Sequence, residues 1–169
     1  MANWQVQIMN IVRVVPEDWQ KIRGSIKSIE KQVFERNIRF AEYKGDFKPF
    51  QNSESINLLL KNNRGIAGYL MSSRIEEDRR FTRYPHYGKY NTYCVDSIAI
   101  RSEFQGKGLG RKLLRSFIGK AKRKKMRRIV LDATSAGMLK LAESEGFKVK
   151  KFYRRWEGLR PSWFMEKKL

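Results

Sequence analysis

The sequence predicts one α/β domain, a sheet flanked by helices over residues 1–169, and three observations predict it. A β-branched apolar run, Val95 to Ile100, is followed within ten residues by Gly106, Gly108 and Gly110 and then by an amphipathic stretch, which reads as strand, tight turn and helix. Two further apolar runs, Ile56 to Leu60 and Ile66 to Ile75, flank Lys61-Asn62-Asn63-Arg64-Gly65. Asn and Gly tolerate positive φ, so the pair reads as an antiparallel hairpin. At this length, 41% hydrophobic and 12% aromatic residues suffice for one core and suggest no second unit.

Taken in order, Val6 to Val15 alternates loosely and predicts a first strand ended by Pro16. Pro16-Glu17-Asp18 suits the start of a helix, because proline fits the first turn and carboxylates complement the positive end of the dipole. Trp19, Ile22, Ile26, Ile29 and Val33 recur at three and four, giving that helix one apolar face through about Phe34. Residues 35–55 predict a second short helix and a loop. The hairpin supplies strands two and three, and Val95 to Ile100 a fourth. The stretch from Asp78 to Tyr93 between them alternates basic and aromatic side chains and is long for a connector; it reads as an ordered aromatic loop or as a clamp for bases or an anionic acceptor. Leu109, Leu113, Leu114, Phe117, Ile118 and Ala121 form the buried stripe of the helix after the glycines. Ile129 to Leu131 continue the sheet, and the helix near Met138 to Ser144 ends at Gly146.

The glycine turn carries the first chemical signal. Glycines leave backbone N–H groups unshielded, and the following helix points its positive end at the same place, so the turn suits an anion such as a phosphate. A Walker loop needs Gly-Lys followed by Ser or Thr, and here Gly110 is followed by Arg111 and Lys112. A dinucleotide fingerprint needs GxGxxG, whereas these glycines are spaced by two. The residues Gln105-Gly106-Lys107-Gly108-Leu109-Gly110 do fit Q/R-x-x-G-x-G/A after a strand. On that loop, on Arg127 to Ser135, on Lys140 to Val149 with its Gly146-Phe147 turn, on Trp163 to Leu169, and on Arg64 to Ser73, the chain resembles the GCN5-related N-acetyltransferase (GNAT) superfamily.

The resemblance implies a mixed, mostly antiparallel sheet of about six or seven strands, splayed at strands 4 and 5. It implies transfer of an acetyl group from acetyl-CoA to a primary amine, by direct attack in a ternary complex and without a metal. The donor would lie on main-chain groups of Ile98, Ala99 and Ile100, with Gln105, Gly106, Lys107, Gly108, Leu109, Gly110 and Arg111 around its pyrophosphate. Ser135 falls where the family commonly has Asn, and Ala142 where it commonly has the Tyr that protonates the leaving thiolate. Alanine has no proton to give, so Tyr153, with Ser144 and Tyr93 behind it, is a substitute acid; alternatively the thiolate is protonated by water. Asp96 is the candidate base, because it lies two residues before Ile98 on what alternation makes the same strand face, and a carboxylate must take the ammonium's proton. Cys94 shares that face and reads as core, and His86 as a solvated loop residue. Alanine at position 142 also leaves open a non-catalytic acyl-CoA- or nucleic-acid-binding module.

Composition sets the remaining bounds. One cysteine excludes an internal disulfide and one histidine leaves no zinc cluster. No apolar run reaches the roughly 18 residues of a membrane span, and no leader-like segment opens the chain, so the expectation is cytoplasmic. The net charge of +20 is uneven: residues 1–78 hold 12 basic and 10 acidic side chains, residues 79–169 hold 25 and 7. A field of that sign suits nucleic acid, an aminoacyl-tRNA or modified base as acceptor, or an acidic protein surface. Lys120 to Lys125 with Arg127 and Arg128 are candidates for the donor's ribose phosphate or for such a polyanion.

Overall fold

A computed structural model of the chain describes residues 8–34, 47–75, 91–156 and 160–169. Seven strands form one sheet, β1 (Asn10–Val14), β2 (Asn57–Asn62), β3 (Gly65–Arg74), β4 (Thr92–Ile100), β5 (Arg128–Ala133), β6 (Lys148–Trp156) and β7 (Arg160–Lys168), in the order β1-β2-β3-β4-β5-β7-β6. All neighbours are antiparallel except β4 and β5. That one parallel pair needs a crossover, and α2 (Leu109–Arg123) supplies it.

The two faces are covered by different helices. Pro16–Asp18 forms a 3-10 turn in which the Val15 N–H donates to the Asp18 carboxylate at 3.3 Å, and α1 (Trp19–Phe34) follows. Its Trp19, Ile22, Ile26 and Ile29 bury against Phe50, Tyr69, Met71 and Ala99, as the spacing of three and four requires. On the opposite face Leu113, Leu114, Phe117 and Ala121 of α2 pack with Leu58, Leu60, Leu70, Tyr93, Ile129 and Leu131. The apolar residues of β4 therefore divide: Tyr93, Val95 and Ile100 belong to the α2 side, Ala99 to the α1 side.

A short helix, α3 (Ala136–Ser144), is capped at its start by the Ser135 hydroxyl, which accepts from the Met138 N–H at 3.1 Å. It stops at Gly146, whose φ of +84° lets the Phe147 N–H turn back to the Ala142 carbonyl at 3.0 Å. The sequence reading did not place β6. Its Lys148, Val149, Lys150, Lys151 and Phe152 are exposed at the edge of the sheet, so no apolar alternation announces it, and its lysines discourage further strand pairing.

The second short helix expected in 35–55 falls largely on residues 35–46, outside the described residues; a 3-10 turn, Lys48–Gln51, follows them. Most of the basic-aromatic stretch, including His86, falls on residues 76–90, also outside them. Among the described residues no helix is long and apolar enough to cross a membrane.

Candidate active site

The site begins where the parallel pair comes apart. β4 and β5 pair from Thr92↔Arg128 to Val95↔Leu131; beyond that, Asp96 to Ile100 have no partner on β5. The opening continues as a cleft of about 440 Å³ lined by residues that include Val33 and Phe34 of α1, Asp96, Ser97 and Ile98 of β4, Asp132 of β5, and Thr134 and Ser135 before α3.

At the same point β4 is irregular on its other edge. Met71 pairs with Ser97 and Ser72 with Val95, so Asp96 is an extra residue, a β-bulge. The bulge corrects the alternation argument. Ser97 and Ala99 turn toward α1, while Ile98 and Ile100 pack on the α2 side. Asp96 accepts from the Ser73 hydroxyl at 3.1 Å, and Ser73 is the register partner of Cys94, so Asp96 sits on the Cys94 face and not on that of Ile98 and Ile100. Cys94 is buried with Ile75, Val130 and Phe164, as a core thiol.

The glycine loop closes the end of the cleft strand. A 3-10 turn at Ser102–Phe104 leads into it, and the Gln105 side-chain amide donates to the Ile100 carbonyl at 2.7 Å, tying the loop to the end of β4. Gly106 and Gly108 have φ of +74° and +72°, and a Cβ on either would meet no protein atom within 4 Å. The first α2 bond joins the Lys112 N–H to the Gly108 carbonyl, so the N–H groups of Leu109, Gly110 and Arg111 have no helical acceptor. Unshielded donors at a helix start around open space fit a pyrophosphate.

Two carboxylates of this region were not singled out in the sequence. Asp132 lines the cleft and accepts from Ser162 at 3.3 Å. Glu30, on α1, accepts from the Ser97 hydroxyl at 3.3 Å, and Ser97 in turn lies 2.8 Å from the Tyr69 hydroxyl. Burial pushes the Glu30 carboxyl up from the ordinary 4.5 to about 7, against the lowering effect of the Ser97 hydrogen bond. The available signal for Glu30 was its place one residue beyond Ile29, on the flank of the apolar stripe.

A profile of the Acetyltransferase (GNAT) family matches residues 19–147, from α1 to the Gly146-Phe147 turn. The chain belongs to the GNAT acetyltransferase family. Solved structures show the same fold. A GNAT-family acetyltransferase from Streptococcus pneumoniae superimposes with a TM-score of 0.72 at 18% identity, covering 96% of this chain and 99% of that one. The structure of yncA from Salmonella typhimurium with its cofactor acetyl-CoA gives 0.63 at 24% identity, with 96% and 94% covered. The ribosomal-protein-S18-alanine N-acetyltransferase of Escherichia coli gives 0.66 at 18%, with 95% and 94% covered. Comparison with curated proteins yields no match.

Within this GNAT fold the remaining expected site residues separate. Ser135 lines the cleft while its hydroxyl caps α3. Lys107 reaches back to the Glu103 carbonyl at 3.3 Å, and Leu109 is half-buried against the core. Arg111 is held by Glu145 at 3.3 Å and Ser144 at 3.2 Å, beside Arg115, which also pairs with Glu145. Tyr153 packs on Val130 and Phe164 with the Lys151 ammonium 5.0 Å from its ring, and is not among the cleft-lining residues. Ala142 is fully buried in the α2-side core. The basic cluster Lys122 to Lys125 lies at the far end of α2, 15 residues or about 22 Å of helix from the loop.

Proposed function

We propose that residues 1–169 act as one acetyl-CoA-dependent N-acetyltransferase that passes the acetyl group to a primary amine by direct attack in a ternary complex. The observation that carries the reading is the opening of β4 from β5 at Asp96, with the glycine loop tied to the end of the same strand by Gln105. The loop N–H groups from Gly106 to Arg111 would hold the pyrophosphate, and the unpaired edge of β4 from Ile98 to Ile100 would hold the arm that carries the acetyl group. The donor supplies an acetyl thioester, an electrophilic carbonyl.

This chain's part is to bind, orient and move protons. A main-chain N–H aimed at the developing oxyanion is worth about 3 kcal/mol in reactions of this kind. Asp96 and Asp132 on the cleft wall favour a cationic amine as acceptor. Asp96 is positioned to receive the ammonium, and Glu30 stands one hydroxyl behind the wall. With Ala142 at the usual acid position and Tyr153 outside the cleft lining, the departing thiolate is protonated by solvent. Incubation with radiolabelled acetyl-CoA and a panel of primary amines, including an alanine-terminated peptide, is expected to label amines. Donor binding without transfer would favour the non-catalytic alternative, and neither binding nor transfer would overturn both.

A second reading concerns nucleic acid as partner. Arg127 and Arg128 open β5, Lys168 is the register partner of Arg128, Lys148 opens β6, and exposed Lys122 to Lys125 end α2, so these cations gather at one end of the sheet. That end is opposite the cleft, so contact there would position an acceptor-bearing RNA rather than take part in chemistry. Binding of single-stranded RNA, followed by anisotropy, is expected to weaken by about 300-fold between 50 and 200 mM salt if some six phosphates are contacted. Absence of binding at the lower salt would remove this reading.

A further inference from the structure

We infer that Glu30, acting through the Ser97 hydroxyl, is the group that takes the proton from the acceptor ammonium, with Tyr69 holding Ser97 in place. The inference rests on the proposed acetyltransferase reading and names the proton path of that same site.

The hydroxyl inventory of Ser97 decides the direction of transfer. Ser97 lines the cleft, and its single hydrogen goes to Glu30 at 3.3 Å. The Tyr69 hydroxyl, 2.8 Å away, must then donate to it. One of the two lone pairs on the Ser97 oxygen is thereby filled, and the other can accept from an ammonium in the cleft. Tyr69 cannot drift, because it is fully buried and its ring meets Phe50 edge-on at 5.9 Å. The bulge at Asp96 is what turns Ser97 toward α1 rather than toward α2.

The proton balance closes without a further group. The ammonium gives one proton to Ser97 as Ser97 gives its own to Glu30. The neutral nitrogen then forms the C–N bond while the C–S bond breaks; its second proton leaves to solvent, the thiolate takes one from solvent, and Glu30 releases its proton to water. A carboxyl titrating near 7 is ionised for about half the molecules at neutral pH and returns a proton readily, which suits a base.

The titratable and charged groups packed at this corner are Tyr69 of β3, Asp96 of β4, and Arg101 and Glu103 beyond β4, which reach α1 at Ser28 and Gln32; on α1 itself the nearest charged residues in sequence, Lys27 and Lys31, are exposed. Burial is the leading cause of the Glu30 shift.

The test is a pair of titrations on the full chain. In wild type, carbon-13 NMR is expected to show a side-chain carboxyl titrating near 7 that is absent in Glu30→Gln. With tryptamine, lysine and an alanine-terminated peptide as acceptors, kcat is expected to rise with pH through about 7. Glu30→Gln should lose about 100-fold in kcat together with that limb. Ser97→Ala should fall similarly while keeping donor affinity, and Asp96→Asn should raise KM and keep the limb. Because the folded protein holds the Glu30 proton up to about 7 and the unfolded chain only to about 4.5, ionisation costs stability as pH rises through that window. Glu30→Gln should therefore be at least as stable as wild type at pH 8, which separates lost chemistry from lost fold. A limb retained in Glu30→Gln, or a Glu30 carboxyl titrating at the ordinary value, would overturn the inference. Donor binding with no amine acetylated, beside a carboxyl at 7, would overturn the parent reading and with it the assignment of Glu30 to that chemistry.

Discussion

Gly108→Glu is expected to lower acetyl-CoA affinity by about 100-fold or more, as losing two charge-assisted hydrogen bonds would, while leaving the fold intact. Gly108 is the residue before α2, with φ of +72°, and no protein atom lies within 4 Å of where its Cβ would be. The first atom of a side chain there points into open space. It enters the space that the donor's pyrophosphate would take, and the glutamate adds a like charge at the positive end of a helix. The left-handed backbone adds about 1–2 kcal/mol of local strain for any L side chain. Calorimetric titration with acetyl-CoA and a thermal melt check both halves. Unchanged affinity in a folded variant would place the donor elsewhere.

Gly68→Ala is expected to destabilise the protein by about 1–3 kcal/mol through overpacking. At 2–4 °C per kcal/mol for a chain of this size, the melting temperature should fall by about 2–12 °C. A Cβ on Gly68 would lie 2.5 Å from the Ile100 Cδ1 and 2.7 Å from the Ala99 carbonyl oxygen. The side-chain end can swing away, but the carbonyl belongs to the backbone of β4 and must move with its strand. Gly68 is the register partner of Ile100, so the displacement falls on the segment assigned to the acetyl-bearing arm. Donor affinity should fall along with stability. A melting temperature unchanged within a degree would mean that β3 and β4 yield more easily than this packing allows.

The parts legible in the sequence were those whose signal is local. Val95 to Ile100, the three glycines and the stripe from Leu109 to Ala121 carry strand, turn and helix within one window, and the structure has them as β4, loop and α2. Trp19 to Val33 carry α1 in the same way, and Asn63-Arg64 joins β2 to β3. The resemblance supplied what no window holds, a mixed, mostly antiparallel sheet splayed at strands 4 and 5; the structure shows that strands 4 and 5 are its one parallel pair.

The parts not legible depend on contacts between distant residues. A bulge adds one residue to a period of two, so the faces assigned to Asp96 by counting from Ile98 came out reversed. Glu30 looks like any charged residue beside an apolar stripe until Ser97, 67 positions away, donates to it. Gln105 reads as a phosphate contact in the motif, and the motif gives no sign that its amide also fastens the loop to the Ile100 carbonyl. Edge strand β6 is hidden because exposure on both faces removes the periodicity that would reveal it.

The most direct test of the central claim is mass spectrometry of the intact protein and of the amine products after incubation with acetyl-CoA, with and without a primary-amine acceptor. Direct attack at the β4–β5 opening predicts an acetylated amine formed only when donor and acceptor are both present, with the protein itself never acetylated. An acetylated protein that forms without the amine and then transfers its group, or the absence of any acetylated amine across the panel, would contradict it.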